Sequence, residues 1–212
     1  MNSTTINLPT PLELMIDLSD DQFFDLCHKN RDFQFERTAS GILVIMSPTG
    51  GETSNRNIEL SYQLQAWSRQ NNLGKAFDSS GGFKLPNGAV REAWATPIRS
   101  PDASWIQSER WESLTQEQRE KFLPLCPDFV VELRSASDCA ERTGEANRLK
   151  TLQDKMKEYQ ENGAKLGWLI DPKTKQVEVY RSGQEVEILE NPTLLSGESI
   201  LPGFVLYLTV IW

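Results

Sequence analysis

Residues 127–135, Pro127-Asp128-Phe129-Val130-Val131-Glu132-Leu133-Arg134-Ser135, set a carboxylate inside the most strand-like run of the chain. A near-continuous apolar run of this length reads as a strand covered on both faces, as in the central sheet of an α/β protein. Burying a lone charge is expensive, so a carboxylate at such a place is paired, hydrogen-bonded or bound to a cation. Strand alternation puts Val130, Glu132 and Arg134 on one face and Val131 and Leu133 on the other. A second acid, Asp102, opens the strand of Pro101-Asp102-Ala103-Ser104-Trp105-Ile106. The local pattern is met equally by a divalent-cation site and by a buried Glu132–Arg134 or Glu132–lysine ion pair without activity.

The rest of the chain supplies the covering layers. Ser19 or Asp20 suits the N-cap of a helix running to about Asn30. Phe33, Phe35 and Ile42-Leu43-Val44-Ile45-Met46 predict a hairpin turning near Ser40-Gly41. A helix is expected from about Glu52 to Gln70, its apolar face drawn by Leu60, Leu64 and Trp67 with Ile58 and Tyr62 beside them. Short strands follow around Lys75–Phe77 and Gly82–Leu85, closed by the turn signal Pro86-Asn87-Gly88. Residues 89–100 read as a loop, and about Glu109–Lys121 as a helical insert in which Thr115 and Gln118 resemble a capping box. A charged helix over about Gly144–Asn162 should end at Gly163. A buried strand Leu166–Ile170, a half-exposed strand Val177–Tyr180 and short strands around 185–189 and 204–211 complete the chain. In 212 residues this predicts one α/β (α+β) domain over 1–212, with 1–40 an accessory strand and helix packed on it.

Several chemistries drop out on composition. The single histidine, His28, follows Cys27 in the first amphipathic helix, where a surface or capping role is expected. A zinc hydrolase, a Ser-His-Asp triad or histidine acid/base catalysis would all have to run through it. Cys27, Cys126 and Cys139 lack a CxxC pair and suit a reducing compartment. No apolar run approaches the roughly 20 residues of a membrane span, and the N-terminus lacks the basic start of a secretory signal. A cytoplasmic protein with no membrane partner is therefore expected. The net charge of −8 opposes avid non-specific binding to nucleic acid. It leaves room for a local basic cleft, or for a cation that offsets clustered carboxylates.

The order of short motifs carries more than any one of them. Met46-Ser47-Pro48-Thr49-Gly50-Gly51-Glu52 is followed by Ser100-Pro101-Asp102-Ala103-Ser104-Trp105, then by the 127–135 run, Lys155-Met156-Lys157-Glu158-Tyr159, Gly163 and Gly167-Trp168-Leu169-Ile170-Asp171-Pro172. Over roughly residues 40–205 this resembles the PD-(D/E)XK nuclease superfamily, and within it the bacterial Uma-type endonuclease branch, a domain of unknown function. The resemblance implies a restriction-endonuclease-like fold, a mixed central β-sheet flanked by helices. It further implies a hydrolase that cuts phosphodiester bonds of nucleic acid, DNA in the first place, with Mg²⁺ or Mn²⁺. A homodimer, common in this fold, would help to cut both strands.

Carried over residue by residue, Asp102 is the acid of the PD element and Glu132 that of the (D/E)XK element. Both would be metal ligands, joined by the Leu133 carbonyl and by Glu52 from the start of the first long helix. Arg134 stands where the superfamily has lysine. Arginine cannot act as a base but can clamp a phosphate through its planar fork. The related branch moves the lysine to the next helix, here Lys155 in Lys-x-x-x-Tyr-x-x-x-Gly. Lys155 and Tyr159, four apart, share one helix face. Lys155 is expected to position the attacking water or stabilise developing charge, and Tyr159 and Arg134 to contact substrate. The arginine at the usual lysine place also keeps open a catalytically weak or inactive member that binds nucleic acid or protein. Asp128 could compete for the PD role but lies about 13 Å along the same strand from Glu132. Trp94 is the one aromatic expected near a substrate path.

Overall fold

The computed structural model describes residues 11–86, 96–135 and 145–212, and the side chains of 145–147 are left aside. Trp94, Cys139, the Asn87-Gly88 half of the expected turn and the helix start at Gly144 lie outside the described residues.

The chain opens with β1 (Leu12–Met15), α1 (Asp20–Lys29), β2 (Gln34–Arg37) and β3 (Ile42–Met46). Ser19 is the N-cap of α1. Its hydroxyl accepts from the Gln22 N–H, and its own N–H donates back to the Gln22 side chain, a reciprocal pairing that satisfies two end donors. β2 and β3 form the expected hairpin, with Gly41 at φ 78° in the turn, a conformation that costs glycine least. Along β2, Phe35 packs with Phe23 of α1, and Arg37 is wholly buried over the Phe23 ring. Its guanidinium donates to the Leu18 and Thr96 carbonyls, each at 2.9 Å, and pairs with Asp20. Glu36, between them, faces the other way.

α2 (Gly51–Asn71) buries Leu60, Leu64 and Trp67 as expected. Ile58 and Tyr62 are 65% and 68% exposed, which corrects their place on the apolar face. Each is two residues from Leu60, about 200° around the helix, and so points away from the core. Then come β4 (Gly74–Asp78), β5 (Phe83–Lys84), β6 (Ile98–Arg99) and β7 (Ala103–Gln107). β6 lies in the stretch read from sequence as loop. The expected insert is two short helices, α3 (Ser108–Glu112) and α4 (Gln116–Arg119), the second capped by Thr115 and Gln118. β8 (Phe129–Leu133), α5 (Glu145–Glu161), β9 (Leu166–Asp171), β10 (Gln176–Arg181), β11 (Glu187–Glu190), β12 (Leu194–Ser196), β13 (Val205–Tyr207) and a 3-10 turn at Leu208–Val210 complete the order.

The central sheet is mixed, in the order β11-β10-β9-β8-β7-β4. Only β8 and β9 are parallel, and α5 makes the crossover that parallel neighbours require. Every residue of β8 and β9 is buried. Phe129, Val131 and Leu133 pack on one face against Leu60, Leu64 and Trp67 of α2 and Phe204. Val130 packs on the other against Met156 and Tyr159 of α5, and alternation assigns Glu132 to that side. A second, antiparallel sheet, β1-β3-β2-β6-β5, is built from the first strands. The sequence pattern suggested only an accessory strand and helix here.

One close contact locks the outer strand of the central sheet. A Cβ at Gly74 would lie 2.2 Å from the Ile106 carbonyl and 2.4 Å from the Trp105 ring. Gly74→Ala is therefore expected to destabilise the protein by about 3 kcal/mol, since backbone cannot yield as a flexible side chain does. A thermal melt checks this, and an unchanged midpoint would show that β4 and β7 do not pack this closely.

Candidate active site

The site begins where two strands part. β7 and β8 pair Trp105 with Phe129, Ser104 with Val130 and Ala103 with Val131. One further step would set Asp102 opposite Glu132 on the same face, but the pairing stops there. The Asp102 side chain fills in for the departed strand: its Oδ2 accepts the Leu133 N–H at 2.7 Å, and its Oδ1 accepts from Asn57 Nδ2 of α2 at 3.0 Å. The Leu133 nitrogen is bonded to the Glu132 carbonyl carbon, so the Asp102 carboxylate lies at most about 5 Å from the Glu132 Cα. The two acids read from the sequence are brought together at this fork. Burial raises the Asp102 carboxyl above its usual range; the Leu133 N–H, Lys155 and Asn57 oppose the rise, and Glu36 adds to it.

α5 brings the third group. Lys155 Nζ stands 2.8 Å from Glu132 Oε1 and 2.7 Å from Glu36 Oε1. Tyr159, one helical turn on, donates its hydroxyl to Glu132 Oε1 at 3.0 Å. Burial raises the Glu132 carboxyl to about 7; Lys155 opposes the rise, and Asp102 and Glu36 reinforce it. Burial disfavours the Lys155 ammonium, yet Glu132 and Glu36 together hold it above the ordinary lysine range. It is a fixed positive charge at neutral pH and not a base.

Glu36 is a member of the site that the sequence reading missed. It is 3% exposed and comes from β2 of the other sheet. Oε1 also accepts the Ser100 N–H at 2.9 Å, and Oε2 accepts from Arg99 Nη1 at 3.1 Å. Arg99 in turn donates from Nε to Glu158 at 2.5 Å. Burial alone would raise the Glu36 carboxyl, but Lys155 and Arg99 hold it below the usual range. A Glu between Phe35 and Arg37 in a four-residue strand was the available signal.

The sequence model of the Uma2 family, described as "Putative restriction endonuclease", matches residues 20–210. The chain belongs to the Uma2 family. In three dimensions it is similar to the crystal structure of "a putative nuclease belonging to DUF820" from Anabaena variabilis, with a TM-score of 0.67 over 92% of this chain and 97% of that one. At 20% identity that likeness shows a shared fold. No curated protein matches the chain.

Within this Uma2 frame, three sequence expectations need correction. Glu52 is exposed at the start of α2, where it pairs with Arg56 at 3.2 Å, and it stands apart from the buried acids. Tyr159 is wholly buried with its hydroxyl given to Glu132, so it orients that carboxylate and cannot meet a substrate. Arg134 does not answer Glu132: β8 ends at Leu133, and the guanidinium turns to Asp171 at 2.6 Å. Asp128 belongs to the far end of β8, tied to Arg110, Lys165 and the Gln107 N–H. His28 contacts Phe24 on the same helix, α1, and Arg31 just past its end. Cys27 and Cys126 are free thiols pushed up by burial to about 11 and about 12, which leaves neither as a nucleophile.

The donors present fit a hard cation. Among the described residues nothing hydrogen-bonds to Glu132 Oε2. Asn57 Oδ1, on the amide whose nitrogen serves Asp102, is buried and has no partner. Among the described residues no three acidic, histidine or cysteine side chains are already gathered into a cage. Mg²⁺ needs none, since it binds through one or two carboxylates and keeps waters and substrate oxygens for the rest of its shell.

Proposed function

We propose that this protein is a Mg²⁺- or Mn²⁺-dependent endonuclease that hydrolyses phosphodiester bonds of DNA. The observation that carries the reading is a buried ammonium, Lys155, pinned between two carboxylates at the fork where Asp102 replaces strand pairing. Family membership supports it. That both sheets contribute to one site supports treating residues 1–212 as one domain. A cytoplasmic location and a homodimer that cuts both strands belong to the same proposal; no helix among the described residues is long and apolar enough to cross a membrane.

Asp102, Glu132 and the Leu133 carbonyl would hold the cation, with the Asn57 carbonyl beside them. Bound there, Mg²⁺ or Mn²⁺ supplies charge neutralisation at the phosphate and activation of water. The remaining work falls to the chain. Asn57 and the Leu133 N–H fix the plane of Asp102. Tyr159 fixes Glu132. Lys155 has three N–H donors, of which two serve Glu36 and Glu132, and the third is left for the attacking water or a phosphate oxygen. Arg134, held by Asp171, shapes the end of β8 and β9.

The test is supercoiled plasmid incubated with Mg²⁺ or Mn²⁺, with nicking expected and blocked by chelator. A second reading, a nuclease-fold module that binds nucleic acid or protein without cutting, is favoured by the existing Lys155–Glu132 ion pair and by Arg134 at the usual lysine place. Metal binding without nicking would select it. Proton and cation should compete for Glu132. Its carboxyl is raised to about 7, so it is charged and open to the cation above that pH and protonated below. Mn²⁺ affinity by calorimetry should rise by up to about tenfold per pH unit below 7 and level off above. A flat profile from pH 5.5 to 8 would show that Glu132 does not hold the ion.

A further inference from the structure

We infer that Glu36, from the sheet that does not carry the two fork acids, is a positioning residue that shares the Lys155 ammonium with Glu132 and keeps it at the site when Glu132 takes a cation. The inference deepens the nuclease reading and rests on it for its kinetic part. With Glu132 alone as partner, the Lys155 ammonium would be stranded whenever Glu132 turned to a cation, and opposite charges in a buried setting attract strongly enough to oppose that exchange. Glu36 Oε1 stands at 2.7 Å against 2.8 Å for Glu132 Oε1, so the ammonium is shared between them.

Glu36 is itself over-determined. Ser100 N–H fixes Oε1, Arg99 fixes Oε2, and Glu158 fixes Arg99. Three of these residues, Glu36, Arg99 and Glu158, come from β2, β6 and α5, and Ser100 lies just past β6. A carboxylate with two cationic neighbours and a backbone donor stays ionised and cannot swing. Such a residue lets Glu132 exchange its lysine for a metal ion without leaving Lys155 unpaired. Partners of this supporting kind are worth about 10–100-fold in activity when removed.

The experiment is a kinetic cycle with a structural readout beside it. Glu36→Gln keeps the shape and an acceptor for Ser100. It is expected to lower kcat for plasmid nicking by about 10–100-fold, with KM for DNA changed by less than about threefold, and Glu36→Asp is expected to recover part of the rate. Added to Lys155→Met, Glu36→Gln should cost no more than about threefold further, because a residue that acts through another is silent once that other is gone. Full additivity would make Glu36 merely structural and overturn the inference. In crystal structures, Lys155 Nζ should keep its shared place in wild-type protein and move fully onto Glu132 in Glu36→Ala. An unmoved Lys155 in folded Glu36→Ala would also overturn it. If wild-type protein fails to nick, the nuclease reading falls, and the crystal structures alone still decide whether Glu36 holds Lys155. If Glu36→Gln does not fold, Glu36→Asp carries the same two readouts with smaller changes.

Discussion

Asp102→Asn is expected to lower plasmid nicking by about 10³-fold or more, some 4 kcal/mol of transition-state stabilisation. The variant isolates charge from architecture. An amide oxygen at 102 can still accept the Leu133 N–H, and its nitrogen can donate to the Asn57 carbonyl, which is buried and unpartnered in the wild type. The fork should therefore stay formed, with a melting temperature within a few degrees of wild type. Mn²⁺ binding should weaken sharply in calorimetry. Asp102 is one of the charges that push Glu132 upward, so any residual Mn²⁺ binding should show its pH midpoint below that of wild type. Nicking within about threefold of wild type by a folded Asp102→Asn would remove Asp102 from the chemistry and with it the cation site.

Lys155→Met should act on both rate and stability. The rate is expected to fall about 10²–10³-fold, the range for removing a preorganised donor from a site where negative charge develops. The stability loss should be about 3–5 kcal/mol near neutral pH, because deleting one partner of a buried ion pair strands the other. Two carboxylates, Glu36 and Glu132, would then face each other with Arg99 alone to answer them. The sign of the pH dependence follows from Glu132. Lys155 normally lowers its carboxyl, so without it the folded-state value rises further above the unfolded one. Relative to wild type, the penalty should be least at about pH 5, where the folded protein takes up a proton, and should grow as pH rises through neutrality. A uniform loss at every pH, or no loss, would mean that Lys155 does not neutralise Glu132. Lys155→Arg is no substitute, since a planar fork cannot seat in a gap shaped for an ammonium.

What the sequence disclosed divides along a physical line. Local signals were legible: Ser19 and Thr115 announce their capping boxes, Gly163 ends α5 at φ 105°, and the apolar runs of β8 and β9 are buried throughout. That Asp102, Glu132 and Lys155 lie close together was legible because an acid in an apolar strand demands a partner and the family order pointed to one. Pairings set by distant strands were not. Alternation put Arg134 beside Glu132, but the strand ends between them and Asp171 claims the guanidinium. Glu36 and Arg99 sit on strands of four and two residues in a sheet whose assembly no local pattern reports. Ile58 and Tyr62 were misplaced by counting neighbours along the chain where angle around the helix decides, and Glu52 by its closeness to a loop resembling the family's.

Glu36 and Lys155 are 119 residues apart, and that separation sets when the site can exist. During synthesis the N-terminal hairpin emerges long before α5, and domains close as units once their chain is available. A growing chain that has made β2, β6 and β7 still lacks the lysine and the tyrosine that hold Glu36 and Glu132. The proposed site is thus complete only once α5 has packed against both sheets.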